Sequence, residues 1–173
     1  MAKRHPNIVI FAIDSIRRDH MSCYGYPRLT TPYMDRLAAR GVLFENSFSP
    51  YIPTTPAYST ILTGCDVINT QMPSLSPKGP LPDDITTLPD LLRTAGYVST
   101  CVGFGGEFYR GFDEYQNFEG WGAWEDRPLR KAENLNAVAL PALERMAASE
   151  KPFLLFLRHM DPHSPYLPPA PYD

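Results

Sequence analysis

The sequence predicts an α/β fold with a mostly parallel sheet flanked by helices. Two apolar runs, residues 7–13 and 153–157, lack polar alternation, which is the pattern of strands buried on both faces. Strand-like and helix-like segments take turns between them, which favours parallel pairing through helical crossovers.

The elements follow in order. Asn7-Ile8-Val9-Ile10-Phe11-Ala12-Ile13 is rich in β-branched residues and reads as the first strand, ending at Asp14. Thr31-Pro32, then Tyr33 to Arg40, then Gly41 supply a helix start, body and stop. Val42-Leu43-Phe44 reads as a second extended segment. Pro56 to Leu62 predicts a short helix opening just after Thr54-Thr55. Leu88 to Thr94, closed by Gly96, predicts another helix, and Tyr97 to Val102 another strand. Asn134 to Ser149 is helical in pattern, with Pro141 a kink or a break. Phe153-Leu154-Leu155-Phe156-Leu157 is a second strongly buried strand. Tyr109 to Arg130, mixed in Gly, aromatics and charge, reads as an irregular surface excursion.

Composition excludes several function classes. The chain has 173 residues, 43% hydrophobic, and a formal net charge of −3, which suits one domain with a real core. Its 16 Lys and Arg form no runs, so the basic stripe that a nucleic-acid partner needs is absent. No segment reaches the roughly 18 apolar residues of a membrane span. Met1-Ala2-Lys3-Arg4-His5-Pro6 lacks the long apolar region and small-residue cleavage site of a signal peptide. Cys23, Cys65 and Cys101 are odd in number, widely spaced and without a CxxC, as expected of buried thiols in a reducing compartment. A cytoplasmic location is therefore expected. The 19 prolines concentrate at Pro73 to Pro89 and at Pro162 to Pro171. The second cluster reads as an extended connector, as if the chain were cut from a longer parent.

Four places could carry chemistry. Asp14 stands where the first strand ends, and ligands of open α/β sheets gather at the carboxyl ends of strands. It suits a hard divalent cation and equally the cap of a turn; the mixed charges at Arg17, Arg18, Asp19 and His20 read as a solvated turn. Thr54 stands before a Pro-started helix, where it is either an N-cap or a nucleophile beside free N–H groups and a positive dipole end. Gly103, Gly105 and Gly106 form either an anion-binding backbone nest or a plain loop. His159, Asp161 and His163 follow the last strand, and alternation in an extended segment would point all three to one side.

Read together, these segments resemble a known family. Pro6-Asn7-Ile8-Val9-Ile10-Phe11-Ala12-Ile13-Asp14-Ser15, Cys23-Tyr24-Gly25-Tyr26-Pro27 and Thr31-Pro32-Tyr33-Met34-Asp35-Arg36-Leu37 closely resemble the opening of the sulfatases. So do Thr54-Thr55-Pro56 with Leu62-Thr63-Gly64, Ala95-Gly96-Tyr97 to Gly103, and Asp161-Pro162-His163-Ser164-Pro165. The resemblance implies an alkaline-phosphatase-like fold, incomplete in this chain, and residues 1–173 as the amino-terminal part of a catalytic domain. It implies a divalent metal ion (Ca, Mn, Zn or Mg) held by Asp14 and Thr54, with Thr54 as nucleophile. Thr55 is the neighbouring competitor, one residue out of register. His163 takes the place of the histidine that contacts the ester and protonates the leaving oxygen. By the same resemblance His159 supports the loop and substrate, Tyr58 stands beside the substrate, and Asp161 orients a neighbour.

The departures from the family shape the expected chemistry. Sulfatases place at position 54 a cysteine or serine that becomes formylglycine; threonine cannot give that aldehyde, so none is expected. Tyr58 replaces the arginine that supports formylglycine, and Ser15 replaces a second aspartate. Phe104 and Gly106 replace a lysine and a histidine that grip sulfate. The resemblance therefore implies a hydrolase of small anionic esters, sulfate or phosphate/phosphonate, with the phosphoester favoured. A phospho-group transferase using the same Thr54, or a non-catalytic binding domain, stays open. The expected partner is a small anionic ester, with no nucleic acid and no membrane, and a homo-oligomer of the parent stays open.

Overall fold

The most apolar run of the chain lies inside the sheet, between two other strands. The computed structural model describes residues 5–76, 79–103, 110–118, 132–164, 166, 168 and 170–171. Its strands are β1 (Ile8–Ile13), β2 (Val98–Gly103), β3 (Glu114–Asn117) and β4 (Phe153–His159), in the order β1-β4-β2-β3. All three pairings are parallel, with Ile8 opposite Leu154 and Ile13 opposite His159. The helices are α1 (Pro32–Ala38), α2 (Thr54–Thr63), α3 (Val67–Thr70), α4 (Leu88–Thr94) and α5 (Ala132–Ala147). The chain divides into two compact units, Met1–Asp14 with Pro50–Asp173, and Ser15–Ser49.

In the first unit β4 is buried along its length and sends alternate side chains to opposite faces. Phe153, Leu155 and Leu157 join Val102, Leu135, Ala139 and Met146 in a core under α5. Phe156 goes the other way and joins Tyr58 and Leu62 of α2 and Cys101 of β2, meeting the Tyr58 ring edge-on at 5.9 Å between centroids. Burial of a side chain such as Phe156 contributes about 1.5–3 kcal/mol.

The helix ends follow local chemistry. Gly64 closes α2 at φ 68°, a left-handed position, and its N–H donates to the Thr60 carbonyl. Thr87 and Asp90 form a reciprocal capping box that opens α4. Pro141 lies within α5 without ending it, which excludes the predicted break. Ala137, whose carbonyl a proline four residues on leaves unpaired, is exposed to water.

Several expectations need correction. The first strand is not buried on both faces. Among the described residues β1 is an edge strand, and Val9 and Phe11 are 41% and 58% exposed. Residues 109–130 are not wholly irregular, because β3 lies within them, paired parallel to β2; residues 119–131 lie outside the described residues. Residues 42–44 form no strand, and Val42 and Phe44 are largely exposed. The helix predicted from Pro56 begins at Thr54. Cys101 is buried, whereas Cys23 and Cys65 are only partly so.

The second unit holds α1 and two short 3-10 turns, Arg18–His20 and Ser22–Tyr24. Its centre is a polar network in which Ser22 Oγ donates to Asp35 Oδ2 at 2.6 Å and Thr31 Oγ1 to Asp35 Oδ1 at 3.0 Å. Hydrogen bonds led by Ser22 hold the Asp35 carboxyl below its usual range. Arg17 and Asp19 pair at 2.6 Å in the open, as a solvated turn would.

Candidate functional site

Polar side chains gather where β1 and β4 end together. The ladder runs one residue past β1, with the Asp14 N–H donating to the His159 carbonyl at 2.9 Å. Ser15 follows at φ 61°, a left-handed conformation that costs a non-glycine residue about 1 kcal/mol or more. Asp14 is thus fixed by a strand and followed at once by a forced turn.

Thr54 is the first residue of α2. Pro53, which has no side-chain hydrogen bond to offer, occupies the N-cap position, so Thr54 is not the cap. Thr54 and Thr55 bring their N–H groups to the first helical turn, where a donor has no partner within the helix; Pro56 has no N–H, and the Ala57 N–H donates to the Pro53 carbonyl at 3.2 Å. Thr54 Oγ1 donates to Asp14 Oδ2 at 3.4 Å, a long hydrogen bond. Thr55, one residue on, turns another way: it is 4% exposed, and its hydroxyl donates to the Leu75 carbonyl at 2.9 Å. Tyr58 follows Thr54 by four residues and so shares its helix face. Burial, with the Asp14 charge adding, pushes the Tyr58 hydroxyl up to about 12.

Arg158 completes the group, and sequence reasoning gave it no role. Its Nη2 lies 3.0 Å from Asp14 Oδ2, its side chain is 7% exposed, and its Cζ lies 5.2 Å from the centre of the Tyr58 ring. The signal was present: a lone basic residue follows five buried apolar ones in the same strand. The guanidinium that position 58 lacks is thus brought beside Tyr58 from β4. Cys101, on the same face, is buried, and burial pushes its thiol up.

His159, Asp161 and His163 do not line up on one side as expected. The segment after β4 turns, with the His163 N–H donating to the Met160 carbonyl at 2.9 Å, so strand alternation stops there. His159 points to the α5 face and stacks on Phe11 at 5.9 Å between centroids. Burial lowers its pKa, against the opposing charge of Asp161, and its Nε2 is buried with no hydrogen-bond partner among the described residues. Asp161 Oδ1 accepts from the N–H of Ala132, the first residue of α5, at 3.0 Å. His163 Nδ1 lies 2.8 Å from the Ser164 carbonyl oxygen. The site therefore assembles Asp14, Thr54, Tyr58 and Arg158, with His159 on the opposite face. Gly103 ends β2, and Phe104, Gly105 and Gly106 lie outside the described residues.

Asp14 and Thr54 offer two hard oxygens on one side, the donor type that Ca²⁺, Mg²⁺ or Mn²⁺ takes. Among the described residues no group of three or more His, Cys, Asp or Glu stands together, so the pair fits part of a coordination sphere. Among them, too, no helix is long and apolar enough to cross a membrane.

Known proteins are similar to this chain in sequence and in fold. Human arylsulfatase A is 35% identical over 104 residues, which is 58% of this chain and 20% of that protein. Dog N-acetylgalactosamine-6-sulfatase is 29% identical over 99% of this chain and 42% of its own length. The crystal structure of the phosphonate monoester hydrolase of Agrobacterium radiobacter superposes with a TM-score of 0.75 at 22% identity, covering 97% of this chain and 43% of that one. The chain thus spans less than half the length of these relatives. The sulfatase family profile matches residues 6–173, and the chain belongs to the sulfatase family, with the alkaline-phosphatase-like fold of its structural neighbours.

Proposed function

We propose that the full-length parent is a metal-dependent ester hydrolase that works through a covalent Thr54 intermediate and prefers phosphate or phosphonate esters to sulfate esters. One observation carries this reading: the Thr54 hydroxyl stands at the amino end of α2 and points at Asp14, at 3.4 Å. A helix amino end favours the anionic group of the substrate. Asp14 and Thr54 would hold a divalent cation that, when bound, lowers the hydroxyl's pKa and offsets charge on the ester.

In the first half-reaction the Thr54 hydroxyl loses its proton to water, Thr54 Oγ bonds to phosphorus and the bond to the ester oxygen breaks. The departing oxygen takes a proton from His163, assigned by its place in Asp161-Pro162-His163. Water then attacks phosphorus, giving a proton to the deprotonated His163, and the bond from phosphorus to Thr54 Oγ breaks, which frees Thr54. The hydroxyl of Thr55, spent on the Leu75 carbonyl, supports Thr54 over its neighbour as nucleophile. The preference over sulfate rests on the side chain itself: threonine cannot give the aldehyde whose hydrate attacks sulfur. The relative in Agrobacterium radiobacter, a phosphonate monoester hydrolase, is akin in fold.

The test is turnover of matched phosphate, phosphonate and sulfate esters by the purified parent, with added Mn²⁺, Ca²⁺, Zn²⁺ or Mg²⁺ and with a chelator. Faster loss of phosphate or phosphonate, abolished by chelation, is expected. Strong sulfate-ester turnover with little phosphoesterase activity would overturn the preference.

A further inference from the structure

Arg158 is the charged residue among the buried side chains of the described chain. A guanidinium out of water is expensive unless it is paired. Its pairing is set by two layers of structure. The β1–β4 register places Arg158 opposite Ala12, so Asp14, two residues on, projects from the same face. Side-chain contacts then complete the arrangement. Asp14 Oδ2 accepts from Arg158 Nη2 at 3.0 Å and from Thr54 Oγ1 at 3.4 Å, and the Tyr58 ring lies over the guanidinium at 5.2 Å. Packing on a ring and anchoring in a buried strand leave the guanidinium little freedom, unlike an exposed pair.

We propose that Arg158 is a positioning residue, holding the Asp14 carboxylate towards Thr54 so that this ligand is oriented before the cation arrives. The inference rests on the metal-dependent reading above and adds to it a group that touches neither cation nor ester. Removal of such hydrogen-bonded supports of a metal ligand costs about 10–100-fold in affinity. Simple charge repulsion predicts the opposite sign, because loss of a nearby positive charge would tighten cation binding. The two roles are therefore separable.

The experiment is calorimetric titration of the full-length parent and its variants with Mn²⁺ alone, and of the parent with Ca²⁺ alone, after circular dichroism has shown each to be folded. Arg158→Met is expected to bind Mn²⁺ about 10–100-fold more weakly than the parent. Arg158→Lys, which keeps the charge without the planar fork, is expected to fall between them. If Arg158→Met does not fold, the lysine variant carries the test. Variants that bind Mn²⁺ as tightly as the parent, or more tightly, overturn the positioning role and leave Arg158 a buried countercharge. A parent that binds neither Mn²⁺ nor Ca²⁺ fails differently: it overturns the metal-dependent reading, and this inference with it.

Discussion

The two faces of the sheet, at its carboxyl end, use similar residues for different work. On the α2 face, Asp14, Arg158, Thr54 and Tyr58 turn towards one another. On the α5 face, His159 stacks on Phe11 and Asp161 accepts from the first N–H of α5. Arg158 and His159 are neighbours in sequence, yet a strand's period of two sends one to each face. A cluster of titratable residues in a sequence is therefore not a cluster in space. One face concentrates charge beside a helix amino end, whereas the other spends its polar groups on packing and capping.

The largest effect should come from the α2 face. Thr54→Ala in the parent is expected to lower kcat at least about 10³-fold, because a covalent nucleophile is lost. Thr55→Ala, its control, is expected to cost about fivefold at most, the scale of one hydrogen bond. Reversal of the two variants in steady-state assays at equal melting temperature would move the register by one residue. Near-normal activity in both would remove nucleophilic catalysis from this segment.

A smaller effect is expected on the α5 face, and it should appear in stability instead. Asp161→Ala removes the carboxylate that accepts from the Ala132 N–H. It is expected to cost ~1 kcal/mol in urea unfolding, as for a lost cap, with kcat unchanged. A fall in kcat of tenfold or more would bring Asp161 into the chemistry and break the contrast between the faces.

The smallest change sharpens the contrast most. His159→Phe replaces a ring whose Nε2 finds no partner among the described residues with an apolar ring beside Phe11. Removal of an unsatisfied polar atom is close to neutral, so stability is expected to change by less than about 1 kcal/mol and KM by less than about threefold. A tenfold rise in KM for a phosphate ester would put His159 against the substrate after all.

Much of this is legible in the sequence because it is local. Apolar runs mark β1 and β4, Thr31-Pro32 marks the start of α1 and Gly96 the end of α4, and Asp14 stands at a strand terminus. Residues 42–44 misled, since three apolar residues make a strand only if a neighbour pairs with them. The edge position of β1 was equally hidden. Its apolar run resembles that of β4, but which strand has neighbours on both sides depends on pairing order, and only β4 is flanked by β1 and β2.

The sequence by itself determined the elements, the α/β class, and Asp14 and Thr54 as chemical candidates, because short-range periodicity and motif spacing are written within single segments. The tertiary structure alone decided that Arg158 meets Asp14 and that His159 faces away. That outcome follows from the register of two parallel strands, in which Ile8 pairs with Leu154 and Ile13 with His159. A slip of one residue would exchange the two faces and place His159 in the site instead of Arg158. Such pairing is set by burial of Phe156 against α2 and of Leu155 and Leu157 against α5, packing that no single segment contains.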